Sequence, residues 1–225
     1  MPPKAKFTRD EILEMAFQIA KEEGIDAVTA RELGSRLGSS ARPIFTVFEN
    51  MDEVKELVIL KSKELYGQYV EEGLKNQLAF RGVGMAYLRF AMEQPKLFWL
   101  LFMRRPACGN LPLTQHADRA ASRGEEFSLT RLKTIQEHKN VSVILPMIDD
   151  NYDKILQSVQ EPYGLKREEA EKIYQHLWIY THGIAAMMVT GLCSYSTEQL
   201  EERLTEVFQG LMMFVKSGNK SERIC

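Results

Sequence analysis

The chain has 225 residues, of which 44% are hydrophobic and 27% charged, enough apolar material for one large helical domain or for a small domain joined to a larger one. Its formal net charge of −2 excludes global basicity, so a nucleic-acid surface has to be local. Cys108, Cys193 and Cys225 are too few and too far apart for a disulfide framework or a CxxC metal site; the start MPPKAKFTRDE lacks a signal-peptide core, and no uncharged apolar stretch reaches the roughly 18 residues of a membrane span, so a cytoplasmic protein without membrane association is expected.

Helical signals run through most of the chain, and the fold class they predict is all-α. Thr8 with Glu11 is a capping box, Phe7 and Ile12 stand where a hydrophobic staple would place them, and Ile12, Ala16, Ile19 and Ala20 share one face of a first helix that stops at Gly24. Thr29 with Glu32 opens a second helix carrying Leu33 and Leu37 and closing before Gly38; a short helix is expected from about Ala41 to Phe48. A third box, Asn50 with Glu53, opens a long helix with Val54, Leu57, Val58, Lys61 and Leu65. These signals predict a small domain over residues 1–50 and a larger helical one over 51–225.

Beyond Gly73 the helices become more apolar. Arg81 to Gln94 is one, ended by Pro95, and Lys96 to Met103 is a second, apolar almost all round (LFWLLFM). Residues 104–126 gather Pro, Gly, Asn and Ser without helical period and are expected to be a loop; helicity resumes near Leu129, with a break possible at Pro146, and runs to Val159. Arg167 to Cys193 forms a long helix. Ser196 and Gln199 cap the last one, whose stripe is Leu200, Leu204, Val207, Phe208, Leu211 and Val215.

Residues 29–48, TARELGSRLGSSARPIFTVF, have the form of a helix-turn-helix: a short helix, a turn containing Gly38, and a second element that starts with small and polar side chains and packs Ile44 and Phe48 backwards. Such a start fits the major groove of double-stranded DNA, which is about 12 Å wide. The residues expected to meet DNA are Thr29, Arg31, Ser40, Ala41, Arg42, Phe45 and Thr46, with Lys4 and Lys6 on an amino-terminal arm. Arg36 adds positive charge to residues 29–48, where Glu32 alone opposes it, and Arg9 adds to the arm upstream. The alternative is that these arginines form the solvated surface of an ordinary bundle.

Over residues 8–58 the pattern resembles the amino-terminal domain of TetR-type transcriptional regulators: a first helix ending in Gly24, Thr29 and Arg31 opening the second, Gly38 and Ser40 in the turn, an aromatic at Phe45 and a helix start at Asn50. The resemblance implies a two-domain all-α architecture, homodimerisation through the last two helices and a ligand pocket in the larger domain. Three positions depart from the pattern, with Phe45 for a tyrosine, Val47 for a histidine and Met51 for a lysine. The missing tyrosine and lysine are groups that grip phosphates, which position a protein on DNA and set its affinity. Residues 178–191, WIYTHGIAAMMVTG, are similar to the tryptophan–histidine–glycine signature of the regulatory domain in one subgroup of that family. Their small residues Gly183, Ala185, Ala186 and Gly191 suit either a four-helix dimer interface or a tightly packed internal helix pair.

Eleven methionines and several aromatics suit an adaptable apolar cavity for a small apolar or amphipathic effector. Its expected lining is Tyr87, Phe90, Trp99, Phe102, Met103, Met147, Trp178 and His182, although each is also a credible core residue. The expected dimer contacts are Ile184, Met188, Leu204, Phe208 and Leu211. No cofactor, metal or catalytic residue is expected: His176 and His182 are six apart, no HExxH or phosphate loop occurs, and Cys108 has only His116 near it in sequence. The function read from this is a sequence-specific DNA-binding regulator, a ligand-released repressor acting as a dimer on a palindromic operator. A dimeric ligand-binding or interaction module whose helix-turn-helix binds DNA weakly is the alternative.

Overall fold

The computed structural model of the protein describes residues 6–104 and 151–221, with side chains to Ser217. Among the described residues every regular element is helical: α1 (Arg9–Glu23), α2 (Ala30–Arg36), α3 (Met51–Leu74), α4 (Ala79–Glu93), α5 (Pro95–Phe98), α6 (Tyr152–Tyr163), α7 (Arg167–Val189) and α8 (Thr197–Ser221). Short 3-10 turns cover Ile25–Ala27 and Ile44–Thr46, and a wide π turn covers Trp99–Met103. No described helix is long and apolar enough to cross a membrane. Of the expected loop at 104–126 only Arg104 is described, and the helix expected from Leu129 lies outside the described residues up to position 150.

The chain divides into two compact units. One comprises the residues up to Leu65 together with the stretch from Gln94, and the other comprises Tyr66–Glu93 together with the carboxy-terminal helices. The expected boundary at residue 50 falls inside the first unit, because Val54 and Val58 at the start of α3 are fully buried and so are Leu97 and Phe98 in α5.

In the first unit the capping chemistry decides where helices begin. The Glu11 N–H donates to Thr8 Oγ1 at 3.2 Å and the Thr8 N–H donates to Glu11 Oε2 at 2.7 Å, so two of α1's unsatisfied donors are met. Those bonds to the ionised form hold the Glu11 carboxyl below the usual carboxylate range. At α2 half of the expected box is made: Thr29 accepts from the Glu32 N–H at 3.2 Å, while the Glu32 carboxylate turns to Arg36. Asn50 likewise accepts from the Glu53 N–H at 2.9 Å, and Glu53 reaches back to the Glu49 N–H. Ile12, Ile19, Leu33 and Ile44 are fully buried, each contributing about 1.5–3 kcal/mol relative to exposure.

The second unit is built on α4, which packs against α6, α7 and α8. Its upper face carries Phe80, Tyr87 and Phe90, ringed by Tyr66, Tyr69, Tyr174, Trp178 and Phe208 at centroid separations of 5.3–6.3 Å, the range in which edge-to-face rings attract. Within this unit the end of α3 and the start of α4 touch backbone to backbone. A Cβ built on Gly73 would stand 2.6 Å from the Gly82 carbonyl oxygen, and one on Gly82 would overlap the Gly73 carbonyl oxygen.

Two helices expected from the sequence take another form. The stretch from Ala41 to Phe48 makes only the 3-10 turn Ile44–Thr46, with N–H bonds from Ile44 to Ala41, Thr46 to Pro43 and Val47 to Ile44. Pro43 has no N–H to give and disfavours helical backbone at Arg42, so regular winding cannot extend back through it. The expected helix from Lys96 to Met103 instead begins at Pro95 and changes after Phe98 into the π turn, closed by the Arg104 N–H on the Trp99 carbonyl at 3.0 Å. Burial of Leu97 and Phe98 turns the next residue outward, and Trp99 is 48% exposed.

Candidate nucleic-acid interface and interior cavity

The turn between α2 and the Ile44 segment is set by hydrogen bonds. The Gly38 N–H donates to Ser35 at 3.1 Å and the Ser39 N–H to Gly34 at 2.8 Å, the paired bonds of a Schellman ending, with Gly38 at φ 61° in the left-handed region. Gly34 lets the segment fold back onto α2, since a Cβ there would stand 3.0 Å from backbone atoms of Ser39, Ser40 and Ala41. Ile44 and Phe48 point into the core at 0% and 3% exposure, which leaves Ser40, Arg42, Phe45 and Thr46 on the outside. Phe45 is 48% exposed. The Thr46 hydroxyl donates to the Pro43 carbonyl at 2.6 Å, so it stays within the turn.

The basic residues of this stretch divide into engaged and unengaged ones. Arg36 pairs with Glu22 at 2.6 Å, with Glu32 at 2.9 Å and with Glu23. These carboxylates, Glu22 first and then Glu32, raise the affinity of its guanidinium for its proton. Arg9 donates to the Val47 carbonyl at 2.8 Å and to Glu53 at 2.6 Å, and it lies 4.3 Å from the centroid of Phe48. Both therefore hold the unit together. Arg31 and Arg42 are exposed, and no ion pair or side-chain hydrogen bond joins either to another described residue. Lys6 donates to Ser39 at 3.3 Å, which brings the arm to the turn, while Lys4 lies outside the described residues. Thr29 is exposed but spends its oxygen on the cap of α2, and Ala41 is partly covered.

The residues expected to line one cavity fall into both units. Tyr87 and Trp178 line a cavity of about 30 Å³ in the second unit, together with Tyr66, Phe80, Tyr174 and Thr181. That is room for one or two waters, far below the roughly 300 Å³ at which ligand pockets begin. The lining carries no charged side chain. His182 lies beside it with Nδ1 2.8 Å from the Tyr87 hydroxyl and its ring stacked on Trp178 at 5.0 Å and 13°. Burial keeps Tyr87 protonated and disfavours charge on His182, so a neutral phenol meets a neutral imidazole. Phe90 is fully buried against Tyr66 and Tyr69. Trp99, Phe102 and Met103 belong to the first unit, where Phe102 packs on Phe98 at 5.2 Å. Met147 lies outside the described residues.

Of the expected dimer residues, Ile184 and Leu204 are buried within the second unit at 4% and 1% exposure, and Phe208 packs on Phe80 and Tyr163. Met188 and Leu211 are partly exposed. The exposed apolar residues of α7 and α8 are others: Ile179 and Met187 on one helix, Met213 and Phe214 on the next. Periodicity marks which residues are apolar but not which of two apolar stripes faces solvent, and Ile184, Leu204 and Phe208 fall on the inner one.

The family model described as "Tetracyclin repressor-like, C-terminal domain" matches residues 80–209, more than half of the chain. No curated protein matches.

Proposed function

Because the chain belongs to the tetracycline repressor-like family of regulators, we propose that it is a homodimeric, sequence-specific DNA-binding repressor released by a small apolar or amphipathic effector. The observation that carries this reading is the pair of exposed, unengaged guanidiniums, Arg31 at the start of α2 and Arg42 at the start of the following segment, beside a turn reached by Lys6. Two such segments in a dimer would meet successive major grooves about 34–36 Å apart. For the dimer face we take the outer stripe of α7 and α8, with Ile179, Met187, Met213 and Phe214. Gly183 and Gly210 stand on the same helices with open space where a side chain would be, which suits close helix approach.

The effector site proposed is the aromatic cavity at Tyr87 and Trp178. A lining without charge favours an uncharged or apolar group, since the hydroxyls of Tyr87 and Thr181 are already engaged with His182 and with the Leu177 carbonyl at 2.7 Å. At about 30 Å³ the cavity has to widen to admit one, so ligand binding would select a different packing of the aromatics, and it can bias DNA binding only through that difference in affinity.

A second reading, a dimeric ligand-binding module with weak DNA affinity, is favoured by one observation: the segment after the turn is a single 3-10 turn bearing Phe45 where the family pattern has a tyrosine. Gel shifts with the DNA flanking its own gene separate the two. The regulator reading expects a specific shift, weakened by about 1–3 kcal/mol in Arg42→Ala or Arg31→Ala if that residue reads a base edge. Absence of any specific shift at low salt would sink the regulator reading in favour of the module.

A further inference from the structure

A second groove, of about 250 Å³, lies within the first unit, between the end of α1 and the π turn. It is several times larger than the aromatic cavity and close to the size at which small-molecule sites begin. Three observations define what it can hold. Trp99 and Leu100 form an apolar wall, and the indole is 48% exposed, an uncommon placement for the largest side chain. Both acids of the lining have a cationic partner, Asp26 in Arg104 at 3.1 Å and Glu23 in Arg36, which it shares with Glu22 and Glu32. The remaining charged group, Lys96, runs its stem along Gly24, where Cδ lies 3.9 Å from the position of an absent Cβ, and no ion pair or hydrogen bond joins its ammonium to another described residue.

An apolar wall beside one uncompensated cation is the complement of a small monoanion with a flat apolar body. We infer that this groove is a binding site for aromatic monocarboxylates, the carboxylate on Lys96 Nζ and the ring against Trp99. The single cation sets the selectivity. Lys96 offers one positive charge and the other charged groups of the lining already have partners, so a second carboxylate finds none and a dicarboxylate binds more weakly. The π turn supplies the geometry, because its wider winding carries Trp99 and Leu100 onto the wall while Leu97 and Phe98 stay in the core. Glu23 belongs both to this wall and to the Arg36 clamp at the end of α2, so the site adjoins the helix that opens the candidate DNA surface.

The test uses the full-length protein and the indole N–H resonances of its two tryptophans, assigned with Trp99→Phe. Titration with benzoate at millimolar concentration, suited to so small a ligand, is expected to shift the Trp99 resonance and leave Trp178 in place. Benzamide, the neutral shape-mate, and phthalate, the dianion, are each expected to bind at least about tenfold more weakly. Lys96→Gln, an exposed and conservative change, is expected to remove the preference of benzoate over benzamide, whereas His182→Gln in the other unit leaves it intact. No shift of Trp99 with benzoate, an equal response to benzamide, a shift confined to Trp178, or an unchanged preference in Lys96→Gln would each overturn the assignment.

Discussion

Replacing Gly82 with alanine tests the backbone contact between α3 and α4. An alanine in the interior of a helix is ordinarily worth about 1 kcal/mol over glycine, so on α4 alone the change should stabilise. Its methyl group, however, would occupy the place of the Gly73 carbonyl oxygen and lie 2.9 Å from the Asn76 side chain. The obstruction is backbone, which cannot rotate away, so the helices must separate and loosen the aromatic cluster above them. Overpacking of this kind costs about 3 kcal/mol at the upper end of its usual range, leaving a net loss of about 2 kcal/mol after the propensity gain. For a chain of this length that lowers Tm by about 4–8 °C. Thermal unfolding by circular dichroism measures it, with Gly67→Ala, inside α3, as the control because its built Cβ meets nothing closer than 3.9 Å. A Gly82→Ala protein melting at or above wild type would refute the close-approach argument.

Three further outcomes are expected. His182 has a folded-state pKa below its ordinary value because burial disfavours the imidazolium, so the unfolded chain takes up the proton first and stability falls as pH drops below about 6.5; His182→Gln should show a smaller loss in acid melts, and identical pH profiles would remove this histidine from the account. Arg36→Gln should lower Tm by leaving Glu22, Glu23 and Glu32 unneutralised, with a deficit that shrinks in high salt as their repulsion is screened; a salt-independent deficit would point to packing instead. Phe214→Glu on the outer stripe of α8 should give a monomer by light scattering with unchanged helicity, and a dimer mass would move the proposed interface elsewhere.

Most helix starts were legible because a cap is a local device: Thr8, Thr29, Asn50 and Ser196 each bond to the N–H three residues on, whatever the tertiary structure. The all-α class followed from the same signals. The Ile44 segment was less legible, since its apolar spacing suits a helix and only the reach of Pro43 shows that winding stops. The charge count of the candidate DNA surface was overdrawn for a related reason. Sequence adds Arg9 and Arg36 to the positive side, but their carboxylate partners Glu53, Glu22 and Glu23 come from other helices and appear only on folding. Gly73 and Gly82 gave no signal of their contact, because a helix crossing is a property of two segments and neither carries a local mark of it. The groove at Lys96 was hidden likewise, since LFWLLFM gives no hint that Trp99 turns outward.

The stacking of Trp178 on His182 has a spectroscopic consequence. The protein's two tryptophans fall one in each compact unit, Trp99 half in water and Trp178 against an imidazole in an aromatic cluster. Their emission should differ in colour, redder from the wetted indole, and in response to acid, since protonated imidazole quenches a stacked indole. Single-tryptophan variants would thus report the melting of each unit separately. Coincident curves would mean that the two units unfold as one cooperative body, and separated curves would give each its own stability.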